Sequence, residues 1–218
     1  GQGLAGEAQV GHFRTAPVTR SPVSFAWSGD TTGQGWGIDE SRGGMRTYRT
    51  MLENRPDFFI HCGDHIYADC PIESELKLSD GGSWRNIVTE DKSVVAQSLA
   101  QFRGNYKYNL LDKNLLAFNA EVPLLAQWDD HEVTNDWCPG EAPGWRGYVD
   151  KSILTLAARG CRAFHEFMPM RETLAAVCAN RIACGRFDAL LRRPGGGHPE
   201  MLPVHVIVNQ TDDPERVL

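Results

Sequence analysis

Apolar and polar positions follow two rhythms along this chain. Val23-Ser-Phe-Ala-Trp27 alternates with period two and meets Ser28-Gly-Asp-Thr-Thr-Gly-Gln-Gly35, predicting a strand that ends in a glycine-rich loop. Asp57-Phe-Phe-Ile-His-Cys62 is a short continuous apolar run, the pattern of a buried parallel strand, and it ends at Gly63-Asp64. Residues 121 to 127 repeat that pattern and run into Asp129. Helical spacing lies between these runs. Met45, Tyr48, Met51 and Leu52 share one side of residues 44–54, and Pro56 stops that helix. Further helices are predicted over 93–108, 110–119 and 152–167, the last with Leu154, Leu156, Ala157, Cys161, Phe164 and Phe167 as its apolar positions. Residues 68–92, with Pro71, Gly81 and Gly82, are predicted as loop, and the polar stretch 1–22 as a terminal strand plus linker. No internal repeat is visible. The order strand, helix, strand, helices, strand, helix predicts an α/β layered fold.

Composition narrows the class. A chain of 218 residues with 41% hydrophobic positions can build one sizeable core and hardly two. The net charge of −6, without a basic stripe, argues against a protein that coats nucleic acid. It leaves room for a phosphate-ester substrate, because bound metal ions can supply positive charge. No apolar run approaches the roughly 20 residues of a membrane helix. The opening Gly1-Gln-Gly-Leu-Ala-Gly-Glu7 has neither the basic start nor the apolar stretch of a signal peptide. Six cysteines without a CxxC pair make a zinc ribbon a poor explanation.

The chemistry concentrates at the ends of the three predicted strands. Asp30 follows the first, Asp64 the second, and Asp129 and Asp130 the third. In open α/β sheets the ligand crevice lies beyond the carboxyl ends of the strands, so neighbouring strands would bring these carboxylates together. Trp128-Asp-Asp-His-Glu-Val-Thr-Asn-Asp136 packs five acidic or imidazole side chains into nine positions. Crowded carboxylates repel, and removing them from water is costly without a compensating cation. A structural calcium-binding module would also use such acidic loops. Gly63-Asp64-His-Ile-Tyr67 adds a second signal. The glycine permits a sharp turn at the strand end. Tyr67, three residues on, either returns as a phenolate, a hard anionic donor suited to ferric ion, or packs over the turn with its hydroxyl hydrogen-bonded.

These motifs resemble a known family. Gly63-Asp64-x-x-Tyr67 is similar to the second motif of calcineurin-like metallophosphoesterases in their purple acid phosphatase variant, and Asp130-His131-Glu132 to the superfamily's Gly-Asn-His-Glu motif with aspartate for asparagine. Trp-Asp-Asp-His-Glu-Val, Phe59-Ile-His-Cys-Gly-Asp-His-Ile-Tyr-Ala-Asp69, Asn119-Ala-Glu-Val-Pro123 and Arg162-Ala-Phe-His-Glu-Phe-Met-Pro-Met-Arg171 resemble the PhoD-like alkaline phosphatases, from about Phe13 to about Thr173. The resemblance implies a layered αββα sheet fold and a dinuclear site, ferric ion beside a divalent ion such as calcium or another divalent metal. By position Asp64 would bridge the metals, Tyr67 would bind the ferric ion, and Asp130 would bind the second metal. His131 would assist catalysis beside the substrate phosphate, and Asp129 would hold a ligand in place. Well-known members use a cysteine thiolate at the end of the first strand. Asp30 stands there in this chain, a harder ligand that changes the preferred metal pair. The implied substrate is a small phosphate monoester or diester, and the implied location is exported or periplasmic.

The resemblance also implies a division of the chain. His12-Phe-Arg-Thr-Ala-Pro17 is similar to the last strand of a preceding immunoglobulin-like domain, so residues 1–20 are expected to end that domain and link it onward. Residues 21–180 are then a partial catalytic domain. Residues 181–218 form an atypical tail, where Cys184-Gly-Arg-Phe-Asp-Ala-Leu-Leu-Arg-Arg-Pro-Gly-Gly-Gly-His-Pro199 lacks the late histidine motif that the family pattern needs. A frameshifted or truncated piece of a longer enzyme is one expectation, a diverged ending the other. With few ligands for the second metal, weak or no turnover is expected of these residues alone, and a catalytically dead remnant is the alternative function. Pro203-Val-His-Val-Ile-Val-Asn-Gln210 is predicted to contribute one strand.

Overall fold

A computed structural model describes residues 9–139 and 147–168, together with the backbone of a strand at 204–208. Four strands form one parallel sheet: β1 (Val23–Ser28), β2 (Phe58–His61), β5 (Leu124–Ala126) and β6 (Val204–Val208), in the order β5-β2-β1-β6. The short apolar runs of β2 and β5 suit this arrangement, because parallel strands are covered on both faces. The predicted strand around 203–210 pairs with β1, Ala26 standing opposite Ile207.

Side chains alternate across the sheet. Ala26 and Phe59 face a helical layer, where they pack with Tyr48, Met51, Leu115, Phe118 and Val122. The helices there are α1 (Arg46–Glu53) and α3 (Lys113–Glu121), which pack against each other. Asp112 starts α3 by accepting the Asn114 and Leu115 N–H groups through one oxygen, and its other oxygen accepts Met45 N–H at 2.8 Å at the start of α1. One side chain therefore joins both helix N-termini, where a carboxylate also complements the helix dipoles. On the opposite face Phe25 stacks on Phe58 with ring centroids 5.2 Å apart.

A second helical pair consists of α2 (Leu99–Asn109) and α4 (Ile153–Phe167). Phe102, Leu156, Ala163 and Phe164 form its core with Ile66, Ala68 and Val133 from the loops at the strand ends. Helix α2 begins six residues later than its apolar spacing suggests. Ser98 and Gln101 make a reciprocal capping box there, so a specific cap overrides the looser hydrophobic pattern. Arg103 clamps Glu166 of α4 with two hydrogen bonds of 2.6 and 2.7 Å.

Two other expectations are corrected. Residues 68–92 contain a hairpin, β3 (Glu75–Lys77) and β4 (Ser83–Arg85), paired antiparallel with Leu76 opposite Trp84. Its turn is built by Asp80, which accepts Gly82 N–H, and by Gly81 at positive φ. Residues 9–22 form no strand. They lie exposed and no ladder partner meets them, only single contacts such as His12 N–H to the Ala120 carbonyl. A strand needs a neighbour to satisfy its backbone groups, and among the described residues none is offered. The helices and the parallel sheet place the protein in the α/β class. Among the described residues the four-stranded sheet is accompanied only by the β3–β4 hairpin, so these residues do not form the second large sheet of the expected αββα layering. The tail at 181–218, apart from the β6 backbone, and part of the Pro/Gly/Trp loop after Trp137 lie outside the described residues.

Candidate metal centre

Strand order explains the meeting of the acidic residues. β2 lies between β1 and β5, and all three run the same way. Their carboxyl ends therefore present Asp64 centrally, with Asp30 on one side and Asp129-Asp130 on the other. The loops are knitted together by backbone hydrogen bonds, Asp30 N–H to the Gly63 carbonyl at 3.2 Å and Thr31 N–H to the Asp64 carbonyl at 2.9 Å. Asp30 and Asp64 both adopt left-handed backbone, with φ of 58° and 55°. Such strain costs on the order of 1 kcal/mol or more per residue outside glycine, and it clusters where the surroundings impose a particular side-chain direction. Gly63, at φ 100°, could not be another residue, because a Cβ there would run into Asp129. A Cβ on Gly33 would lie 2.5 Å from the Tyr67 ring.

The four expected ligands meet at this place. The Tyr67 hydroxyl faces the carboxyl groups of Asp64 and Asp30, which are themselves close neighbours. Ligand atoms of Asp64, Asp130 and His131 all lie within 4.8 Å of one another. Asp64 and Tyr67 are buried, Asp130 and His131 half-buried, and Asp30 is exposed, so the cluster opens to solvent on the β1 side. Tyr67 stacks on the His131 ring at 4.1 Å. Asp129 packs over Gly63, with its N–H bonded to Glu132.

The electrostatics are unfavourable for the bare side chains. Burial, then the Glu132 carboxyl and the neighbouring Asp30 carboxyl, pushes the Asp64 carboxyl up to about 8. Burial and the two neighbouring aspartates push the Tyr67 hydroxyl far above its ordinary value. The positive group acting on Asp64 is His131. An oxygen-rich cluster that suppresses the ionisation of Asp64 and Tyr67 fits a multivalent cation, which would favour their anionic forms. The donor set of carboxylates and a phenol suits a hard metal ion.

Two residues to which the sequence pattern assigned no role hold this cluster. Asp69 accepts a hydrogen bond from His131 Nδ1 at 2.7 Å and from Asn135 N–H at 2.9 Å. Burial would lower the His131 pKa, but Asp69 outweighs it with help from Asp64 and Asp130, raising the imidazole to about 9. The ring is thus biased toward the cationic form, with Nδ1 on Asp69. Asp69, Cys70 and His131 form another close trio of potential ligands, but both Asp69 oxygens are already engaged. Lys92 is the other missed residue, fully buried with its ammonium on the Tyr67 carbonyl at 2.8 Å and Asn105 Oδ1 at 2.9 Å. Asp69 could have been suspected as a carboxylate five residues past Asp64. Lys92 carries no local signal at all.

A chain with this parallel sheet and this acidic cluster beyond its strand ends is matched by the family model of PhoD-like phosphatases over residues 25–187. The protein belongs to that family. Its sequence is 31% identical over 124 residues to alkaline phosphatase D of Bacillus subtilis (strain 168), an alignment that takes in 57% of this chain and 20% of the relative. Its fold superposes on a solved structure described as the structure of PhoD with a TM-score of 0.52 and 27% identity, over 72% of this chain and 27% of that one. The chain therefore spans about a fifth to a quarter of the length of these relatives.

Proposed function

We propose that residues 21–180 carry the metal- and phosphate-handling part of a metal-dependent phosphoesterase acting on small phosphate monoesters or diesters. The observation that supports this reading most is the meeting of Asp30, Asp64, Tyr67, Asp130 and His131 beyond three adjacent parallel strands. Family membership and the likeness to alkaline phosphatase D give the reaction class its plausibility. Asp64, central among them, would be shared between two cations. Asp30 and Tyr67 would complete one side and Asp130 the other. Ferric ion suits the Tyr67 side, and a divalent ion such as calcium suits the carboxylate side. Bound cations would neutralise the ester's oxygens and raise the acidity of water, the chemistry that phosphate-ester hydrolysis needs.

The chain's own residues supply orientation and a proton. Asp69 fixes the His131 ring plane through Nδ1–H, as the carboxylate partner of a catalytic imidazole does. Tyr67 supports the other face of the ring. His131 Nε2–H then donates to a phosphoryl oxygen or to the departing alcohol oxygen. A group raised to about 9 keeps that proton through neutral and mildly alkaline pH. The test is hydrolysis of bis(p-nitrophenyl) phosphate by the purified chain with and without Fe3+ and Ca2+. Weak, metal-dependent turnover that disappears in Asp64→Asn is expected. Turnover that survives either metal removal or Asp64→Asn would assign the activity to a different site.

A further inference from the structure

Glu132 is the least exposed carboxylate at the site, fully buried, and it makes no ion pair with a lysine or arginine among the described residues. Its oxygens instead collect three backbone N–H groups from two separate loops. Oε1 accepts His65 N–H at 2.6 Å; Oε2 accepts Asp129 N–H at 2.8 Å and Asp64 N–H at 3.3 Å. The first loop follows β2 and the second follows β5. Successive N–H groups around a left-handed residue form a small anion-binding concavity, and Asp64, with φ 55°, is that residue. The Glu132 backbone is held from behind. Its carbonyl lies so close to α4 that a Cβ on Gly160 would come within 2.6 Å of it.

We infer that Glu132 is the positioning residue of the centre: its carboxylate clamps the β2 and β5 loops together and so sets the separation and direction of the Asp64 and Asp130 carboxylates. The inference rests on the phosphoesterase reading for its purpose, but the clamp itself is a property of this chain alone. Three backbone hydrogen bonds on one buried carboxyl group hold strained backbone that would otherwise relax. His131 N–H donates to Asp64 Oδ1 at 3.2 Å, so the side chain of Asp64 is tied to the second loop as well. Removing the clamp would free Asp64 to leave its left-handed conformation and turn its carboxylate away. Glu132 itself is fully buried, with both oxygens turned to the N–H groups of the two loops.

Two measurements test this. The first is amide hydrogen exchange of the metal-free chain. The amides of Asp64, His65 and Asp129 should be protected in the parent. In Glu132→Gln, which can offer only one acceptor oxygen, they should exchange much faster, while Phe59 and Ile60 in β2 stay as they were. The second is Mn2+ binding followed by electron paramagnetic resonance. Glu132→Gln should weaken binding roughly 10- to 100-fold, the range for residues that orient ligands. Arg103→Ala, which loosens α2 from α4 without touching the clamp, serves as the control for lost stability and should leave Mn2+ affinity unchanged. Unchanged affinity in Glu132→Gln, or parent amides at 64, 65 and 129 that exchange like open loop, would overturn the inference. The second result needs no variant, so it decides the matter even where Glu132→Gln does not fold. Absence of Mn2+ binding by the parent would instead overturn the phosphoesterase reading, with the exchange data still deciding the clamp.

Discussion

Replacing Gly160 by alanine sets two effects of opposite sign against each other. In an unobstructed helix interior, glycine to alanine stabilises by about 0.5–1 kcal/mol, because alanine loses less backbone entropy. Gly160 is the eighth residue of α4, so this gain is available in principle. Its new Cβ, however, would lie 2.6 Å from the Glu132 carbonyl oxygen and 3.4 Å from both Phe102 Cε1 and Trp128 Cη2. The closest atom is backbone, which cannot swing aside as a flexible side-chain tip could. Relief requires the helix or the Glu132 loop to move by roughly half an ångström or more, and overpacking of this kind costs about 1–3 kcal/mol. The crowding term therefore wins, and Gly160→Ala should destabilise the chain by about 1–2 kcal/mol net. Urea unfolding followed by tryptophan fluorescence measures this directly, since Trp128 touches the altered position. The displaced loop carries Asp130 and His131, so Mn2+ affinity should fall as well. A variant stabilised by 0.5–1 kcal/mol, as at a free helix position, with unaltered Mn2+ affinity would refute the packing of α4 against the Glu132 loop.

Iron-loaded protein should be coloured through tyrosinate-to-iron charge transfer, and Tyr67→Phe should bleach it; surviving colour would locate the iron elsewhere. The metal-free chain should lose stability as pH rises. Asp64 is raised to about 8 from an ordinary 3.8, so the folded state binds the extra proton between those values, and stability present below pH 4 is lost on the way to pH 8. His131, raised from 6.5 to about 9, adds loss of the same sign over its own window. Chemical denaturation midpoints at pH 5 and pH 9 check this, and Asp64→Asn should flatten the first part of the fall. Asp69→Asn should leave the fold intact and lower kcat more than it raises KM, with the alkaline limb of the rate profile moved to lower pH; an unaltered profile would remove Asp69 from the mechanism.

The parts legible in the sequence are those in which a residue's type and its neighbours in the chain carry the signal. The apolar run 57–62 announces β2 because a parallel strand buries both faces, and the acidic ends of three such runs point to one crevice once the strands are taken as adjacent. The helix under Met45, Tyr48 and Met51 follows from spacing alone. The hairpin at 75–85 was hidden because its strands are three residues each, too short for alternation to show. Its Asp80-Gly81-Gly82 turn was the available clue.

The supporting groups were hidden for a different reason. Nothing about a buried glutamate in Asp-Asp-His-Glu says that its oxygens will meet N–H groups 67 and 68 residues earlier in the chain. Nothing about Lys92 predicts a buried ammonium on the Tyr67 carbonyl. Those roles arise only when the loops after β2 and β5 are brought side by side, and they are needed because the site is strained and self-repelling. Two aspartates in left-handed backbone, the ionisation of Asp64 opposed by its surroundings, would drift apart if only their own strands held them. Ligand types can be read locally; the hydrogen bonds that aim the ligands are long-range, and those are where a fold with a family's motifs either keeps or loses the geometry its chemistry requires.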